Sequence, residues 1–219
     1  MNLDEIIRRD IRASLTNSGV LLFLAGFLIF MGIITGEIFF KKPFSTRDNY
    51  ISELGAPLPP ETIIPEPSAT IFNYSMIVSG LMIMIATFFV QRVFKKLITT
   101  IPLGLFGVGI LGVGIFPGNV APWHGLFALL LFIAGGIGAI TSYRILSAPL
   151  RYVFIFIGIV TLTFLIAYKY FVPSLGVGGA ERWVFYPTVF WLTGLGGYLL
   201  GIKDEYKHVS HVKPEQFSD

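Results

Sequence analysis

Apolar residues in this chain run in long blocks, and most polar residues fall in the gaps between them. By hydropathy the blocks predict helices over roughly Asn17 to Phe40, Thr70 to Val90, Leu97 to Phe116, His124 to Leu146, Leu150 to Phe171 and Arg182 to Gly201. Each approaches the ~20 residues a helix needs to cross a ~30 Å hydrocarbon core, and the alternating pattern of a membrane barrel is missing. Ahead of the first block, "MNLDEIIRRDIRAS" sets Leu3, Ile6, Ile7 and Ile11 at helical spacing and places Asp4/Arg8 and Glu5/Arg9 four apart. That pattern predicts a short amphipathic helix at the interface. The expected fold class is all-α, a single transmembrane bundle over 1–202 with about six spans, followed by a polar cytoplasmic tail over 203–219.

Composition agrees with the pattern. Hydrophobic residues make up 54% of the chain and charged residues 13%, with a mean hydropathy of +0.74, whereas soluble domains carry about 25% charged residues. There are no cysteines, which removes disulfides, thiolate metal sites and cysteine nucleophiles from consideration.

Charge sets the expected orientation. Arg8, Arg9, Arg12, Arg92, Lys95, Lys96, Arg144, Arg151, Lys203, Lys207 and Lys213 fall on one side of the predicted spans. Lys41, Lys42, Arg47, Lys169 and Arg182 fall on the other. The positive-inside rule then predicts a multi-pass protein of the cell membrane with both termini cytoplasmic. The net charge of +3 reflects that asymmetry, and no basic-aromatic groove points to nucleic acid.

One connection is long. The outer loop from about Lys41 to Ala69 contains "RDNYISELGAPLPPETIIPEPS", whose prolines at 57, 59, 60, 65 and 67 favour extended backbone. A connection of this length is more often functional than idle, and it is expected to lie as a stiff lid over the outer mouth.

Several motifs have plain readings. "GVGILG" at Gly107 to Gly112 matches a dinucleotide fingerprint but lacks the preceding strand and the following acid. Glycines at 104, 107, 109, 112 and 114, at 135, 136 and 138, and at 197 and 201 are expected to let helices approach closely. "NYS" at Asn73 is formally a sequon, but it lies so close to the bilayer that a buried hydrogen-bonding role is expected. His208 and His211 are too few for a metal site, so neither a metal nor a cofactor is expected.

The costly polar residues converge. Asp48, Asn49, Ser52, Glu53, Asn73, Asn119, His124, Glu181, Arg182 and Tyr186 all fall at the outer ends of spans or in outer loops. His124, in "FPGNVAPWHG", is the one histidine near the membrane. It is expected either to act as a base or to bond loop carbonyls.

At these residues the chain resembles the polytopic membrane proteins of the domain of unknown function 998 family. The resemblance is carried by "DNYISELG", "PSATIFNYS", "GVGIFPGNVAPWHGLFALLLFIAGGIGAITSYR" and "GGAERWVFYPTVFWLTGLGGYLLG". It implies a bundle of about six helices and no defined chemistry. A more distant likeness to Frag1/DRAM/Sfk1-type membrane proteins implies a lipid context.

Three functions compete. In the first, an outer-face polar pocket binds or processes the head group of a membrane lipid or small amphiphile. Arg182 holds an anion there, with Tyr186, Asn73, Asn49, Glu53 and Asn119 around it. His124 would serve as base, oriented by Asp48, Glu53 or Glu181, with water or Ser52 as nucleophile. In the second, a non-enzymatic structural or accessory protein uses the same residues to clamp the outer loop, Glu181 and Arg182 pairing with Arg47, Asp48 or Glu53. The third, a transporter, lacks midplane charges.

Overall fold

The computed structural model describes residues 3–56 and 63–203; the tail from 204 onward, with His208 and His211, lies outside the described residues, as do Pro57, Pro59 and Pro60. Among the described residues six α-helices follow one another: α1 (Leu3–Ile38), α2 (Ser68–Phe94), α3 (Leu97–Ile115), α4 (Trp123–Thr141), α5 (Leu150–Ile166) and α6 (Tyr168–Ile202). Among the described residues there is no strand, so the chain is all-α.

Breaks fall where the backbone demands them. Lys95 adopts a left-handed conformation (φ 53°) that ends α2, and α3 begins two residues later, so the two helices form a tight hairpin. Pro67, Pro122 and Pro149 each precede the first residue of a helix, where a missing N–H costs nothing.

The expected fourth and fifth spans each end five residues early, at Thr141 and Ile166, and two further elements differ more. The N-terminal amphipathic stretch is not a separate helix but the first turns of α1, which runs unbroken for 36 residues. No glycine or proline interrupts the join, and the Ser18 hydroxyl bonds back to the Ser14 carbonyl at 2.8 Å, within the helix. At the other end, α6 starts fourteen residues before the expected Arg182. It is interrupted at Gly176 (φ 74°, ψ 169°) into limbs 168–175 and 177–202.

Helices α1 to α4 are each long and apolar enough to cross a membrane, and α5 and α6 pass that test together across a 94° bend. Packing settles how this pair runs. Phe154 of α5 meets Gly194 of α6, while Phe164 stacks on Trp183 at 4.9 Å. The long limb of α6 therefore runs antiparallel to α5, with 168–175 as the crosspiece, which is consistent with about six spans.

Successive helices pack in order, and α6 returns to α1 to close the ring. The α1–α6 contact is close because a side chain at Gly26 would overlap Thr193 and one at Gly196 would strike Phe23. Gly109, Gly112, Gly114, Gly135, Gly136 and Gly138 are likewise covered by neighbouring helices, whereas Gly197 and Gly201 have open space where a side chain would stand. The expected GxxxG contact is thus not used within the bundle, because both glycines face outward. The core is sealed by Trp191, fully buried, whose indole N–H donates to the Ser142 hydroxyl at 2.9 Å.

Candidate functional site at the loop-bearing mouth

The loop joining α1 to α2 folds into the mouth of the bundle. Its 3-10 turn, Ile51–Leu54, inserts Ile51 (3% exposed) and Leu54 (0%) into the core. Around this plug the loop satisfies its own polar groups. Asn49 Oδ1 accepts from the Ser45 N–H at 3.0 Å, Asn49 Nδ2 donates to Glu53 at 2.8 Å, and Glu53 also accepts from the Tyr50 N–H at 2.7 Å. From α2, Asn73 Nδ2 donates to the Gly55 carbonyl at 3.0 Å and the Ser68 hydroxyl to that of Leu54 at 3.1 Å. Among the described residues, the segment that covers the mouth is 44–56.

The glycines of "GVGGAER" explain how the loop docks. A side chain at Gly176 would overlap the Arg47 carbonyl, and one at Gly178 the Asn49 carbonyl. With only hydrogen there, the two backbones touch. The Gly178 N–H donates to the Arg47 carbonyl at 2.9 Å, capping the restarted helix. The Arg47 guanidinium donates back to the Ser174 carbonyl at 2.7 Å.

Arg182 is the centre of this contact. It is 8% exposed. Nη1 donates to the carbonyls of Thr46, Asn49 and Gly178, each at 3.0 Å, and Nη2 to Glu37 Oε1 at 2.9 Å. Phe44 lies 5.6 Å from the guanidinium carbon. One side chain thus ties the loop to both α1 and α6. The expected pairings of Glu181 and Arg182 with Arg47, Asp48 or Glu53 are corrected. The acid that meets Arg182 is Glu37, and Asp48 stays exposed, bonded to the Ser45 hydroxyl at 2.8 Å. Sequence reasoning passed over Glu37 because it closes an apolar span. A lone carboxylate in "IITGEIFF" was the available signal, since charge at that depth needs a partner.

The remaining site residues divide. His124 Nδ1 lies 2.8 Å from the Phe116 carbonyl, which can only accept, so Nδ1 carries a proton and, in the neutral ring, the lone pair falls on Nε2. Glu181 turns away from Arg182, and Oε2 accepts from the Ile51 N–H at 2.5 Å. No carboxylate orients His124 among the described residues. His124, Glu181 and Ser52 do line one cavity of about 30 Å³, whose other walls include Phe72, Met76, Ile110 and Phe185. Asn119 is exposed in the α3–α4 turn and takes no part.

Tyr186 belongs elsewhere. With Trp183, Pro187 and Phe190 of α6 and Phe156 and Val160 of α5, it lines an apolar recess of about 500 Å³ reaching Arg182. Positions 181 and 185 face the small cavity and 183, 187 and 190 the recess, so the two lie on opposite faces of α6.

These features define a polytopic α-helical membrane protein with a plugged mouth. The chain belongs to the family described as protein of unknown function, DUF998, whose model matches residues 23–198. No curated protein and no solved structure matches it, so the distant likeness to lipid-associated membrane proteins is not confirmed.

Proposed function

We propose that the protein is a non-enzymatic structural or accessory protein of the membrane, in which the polar cluster at the mouth clamps the α1–α2 loop as a fixed plug. The observation that carries this reading is the use of Arg182: three backbone carbonyls and the Glu37 carboxylate take up both of its terminal nitrogens. A head group would have to displace those bonds, which a guanidinium this buried gives up at a cost of several kcal/mol. In this reading the loop-bearing end faces outward and the termini lie in the cytoplasm, as the positive-inside rule expects. Purified Arg182→Ala tests the reading. Loss of thermal stability in detergent, together with new protease sensitivity in 41–56, supports the clamp. An intact fold with altered lipid co-purification favours a head-group site.

A second reading retains the amphiphile. The apolar recess has room for hydrocarbon beside Tyr186 and Arg182, and a bilayer supplies acyl chains to such a surface. A molecule lying there is separated from His124 and Ser52 by the thickness of α6, which favours binding over processing. Filling the recess with Val160→Trp, followed by lipid mass spectrometry of the purified protein, tests it. Loss of a co-purifying lipid supports the reading, and an unchanged profile removes it.

A further inference from the structure

The small cavity beneath the plug has a property that neither reading uses. Its walls are mostly apolar, yet three polar side chains from three elements meet there: Ser52 from the plug, His124 from α4 and Glu181 from α6. Among the described residues, the Ser52 hydroxyl, His124 Nε2 and the second oxygen of Glu181 have no protein hydrogen-bond partner, since the one bond of His124 is made by Nδ1 and that of Glu181 by Oε2. The three side chains are half-buried, and polar groups drawn in from the surface in this way are satisfied by protein or by water in the great majority of cases. A cavity holds a water once it offers roughly 10–15 Å³ of probe-occupied space and two to four polar partners. At about 30 Å³ and three partners this one meets both conditions.

We propose that the chamber is a binding site for a water-sized protic ligand, normally one or two water molecules, bridging Ser52, His124 and Glu181. The ligand donates to His124 Nε2, whose lone pair is fixed by the bond from Nδ1 to Phe116, and to the free oxygen of Glu181. It accepts from the Ser52 hydroxyl. Hydrogen-bonding character favours a donor-rich guest: a carboxyl oxygen and an imidazole lone pair face it, while Arg182 is engaged by Glu37 and the loop carbonyls. The guest would link the plug, α4 and α6 through one hydrogen-bonded node.

Radiolytic hydroxyl labelling of the full chain in ¹⁸O-water tests it, because radicals generated from a bound water mark the side chains beside it. Phe185 (5% exposed) lines the chamber; Phe106 (0%) is a buried phenylalanine that does not. The expected result is ¹⁸O incorporation at Phe185 and Met76 with none at Phe106, and its loss in His124→Phe. Phe185 as unlabelled as Phe106 in the wild-type protein would overturn the proposal. Equal labelling of both, indicating general opening, would do the same, as would labelling that persists in a folded His124→Phe.

Discussion

Arg182 Nη2 lies 2.9 Å from Glu37 Oε1, a bond across 145 residues that joins the closing turn of α1 to the first turns of the long limb of α6. The side chains are 10% and 25% exposed, so the pair is only partly screened by solvent. Removing one partner of such a pair costs about 3 to 5 kcal/mol, because the other charge is left buried. Arg182→Gln is therefore expected to lower the melting temperature in detergent more than Glu37→Gln, since it also strips three backbone carbonyls. A double-mutant cycle is expected to give a coupling of roughly 0.5 to 3 kcal/mol. Additive single effects would show that the pair contributes nothing of its own.

Backbone contact between loop and helix makes a second prediction. Gly176→Ala and Gly178→Ala each place a methyl group on a loop carbonyl, and position 176 also holds φ 74° with ψ 169°, a conformation essentially confined to glycine that costs an L-residue roughly 1 to 3 kcal/mol. Limited proteolysis of either variant is expected to cut within 41–56 where the parent protein resists. Gly197→Ala is the control, having open space around it, and is expected to behave as wild type.

In the core, the Trp191 indole donates to Ser142, and its ring meets Phe106 edge-on at 5.7 Å. Trp191→Phe is expected to destabilise by about 1 to 3 kcal/mol through the lost hydrogen bond and poorer filling. It should leave the loop protected from protease, separating core damage from plug release.

Asn73 offers a local test of the plug. Its amide donates to the Gly55 carbonyl while Oδ1 is buried without a partner. Asn73→Ala removes one good bond and one unsatisfied acceptor together, so a small loss, on the order of 1 kcal/mol, is expected in thermal unfolding. Asn73→Asp puts a charge on the orphaned carboxylate oxygen and should cost clearly more.

The bundle was legible because lipid imposes one rule on every span: apolar side chains outside and a hydrogen-bonded backbone inside. The ends were less so. Hydropathy placed the last helix at Arg182 because Gly176, Gly178 and Gly179 read as a turn, yet only Gly176 leaves helical geometry; Gly178 makes room for the loop. The meeting of Asn49, Glu53, Asn73 and Arg182 with the loop at one mouth was also legible, since each falls in that loop or at the same end of its span, whereas Asn119 and Tyr186 were grouped with them and lie apart. Their partners were not. Arg182 spends three of its bonds on backbone carbonyls, which no side-chain inventory displays, and Glu37 lay hidden in an apolar block. Phe185 lines the small cavity and Tyr186 the recess; helical phase turns the two about 100° apart, but the difference needed the position of α5 to acquire meaning.

The central claim, that Arg182 holds the loop as a fixed plug, is tested most directly by a distance. The chain contains no cysteine, so spin labels can be placed at Asp48→Cys in the loop and Leu97→Cys at the far end of the bundle; both native side chains are exposed. Double electron–electron resonance on this pair in nanodiscs should give one narrow distance distribution that broadens when Arg182→Gln is added. A distribution already broad with Arg182 in place, or one that Arg182→Gln leaves unchanged, would contradict the account.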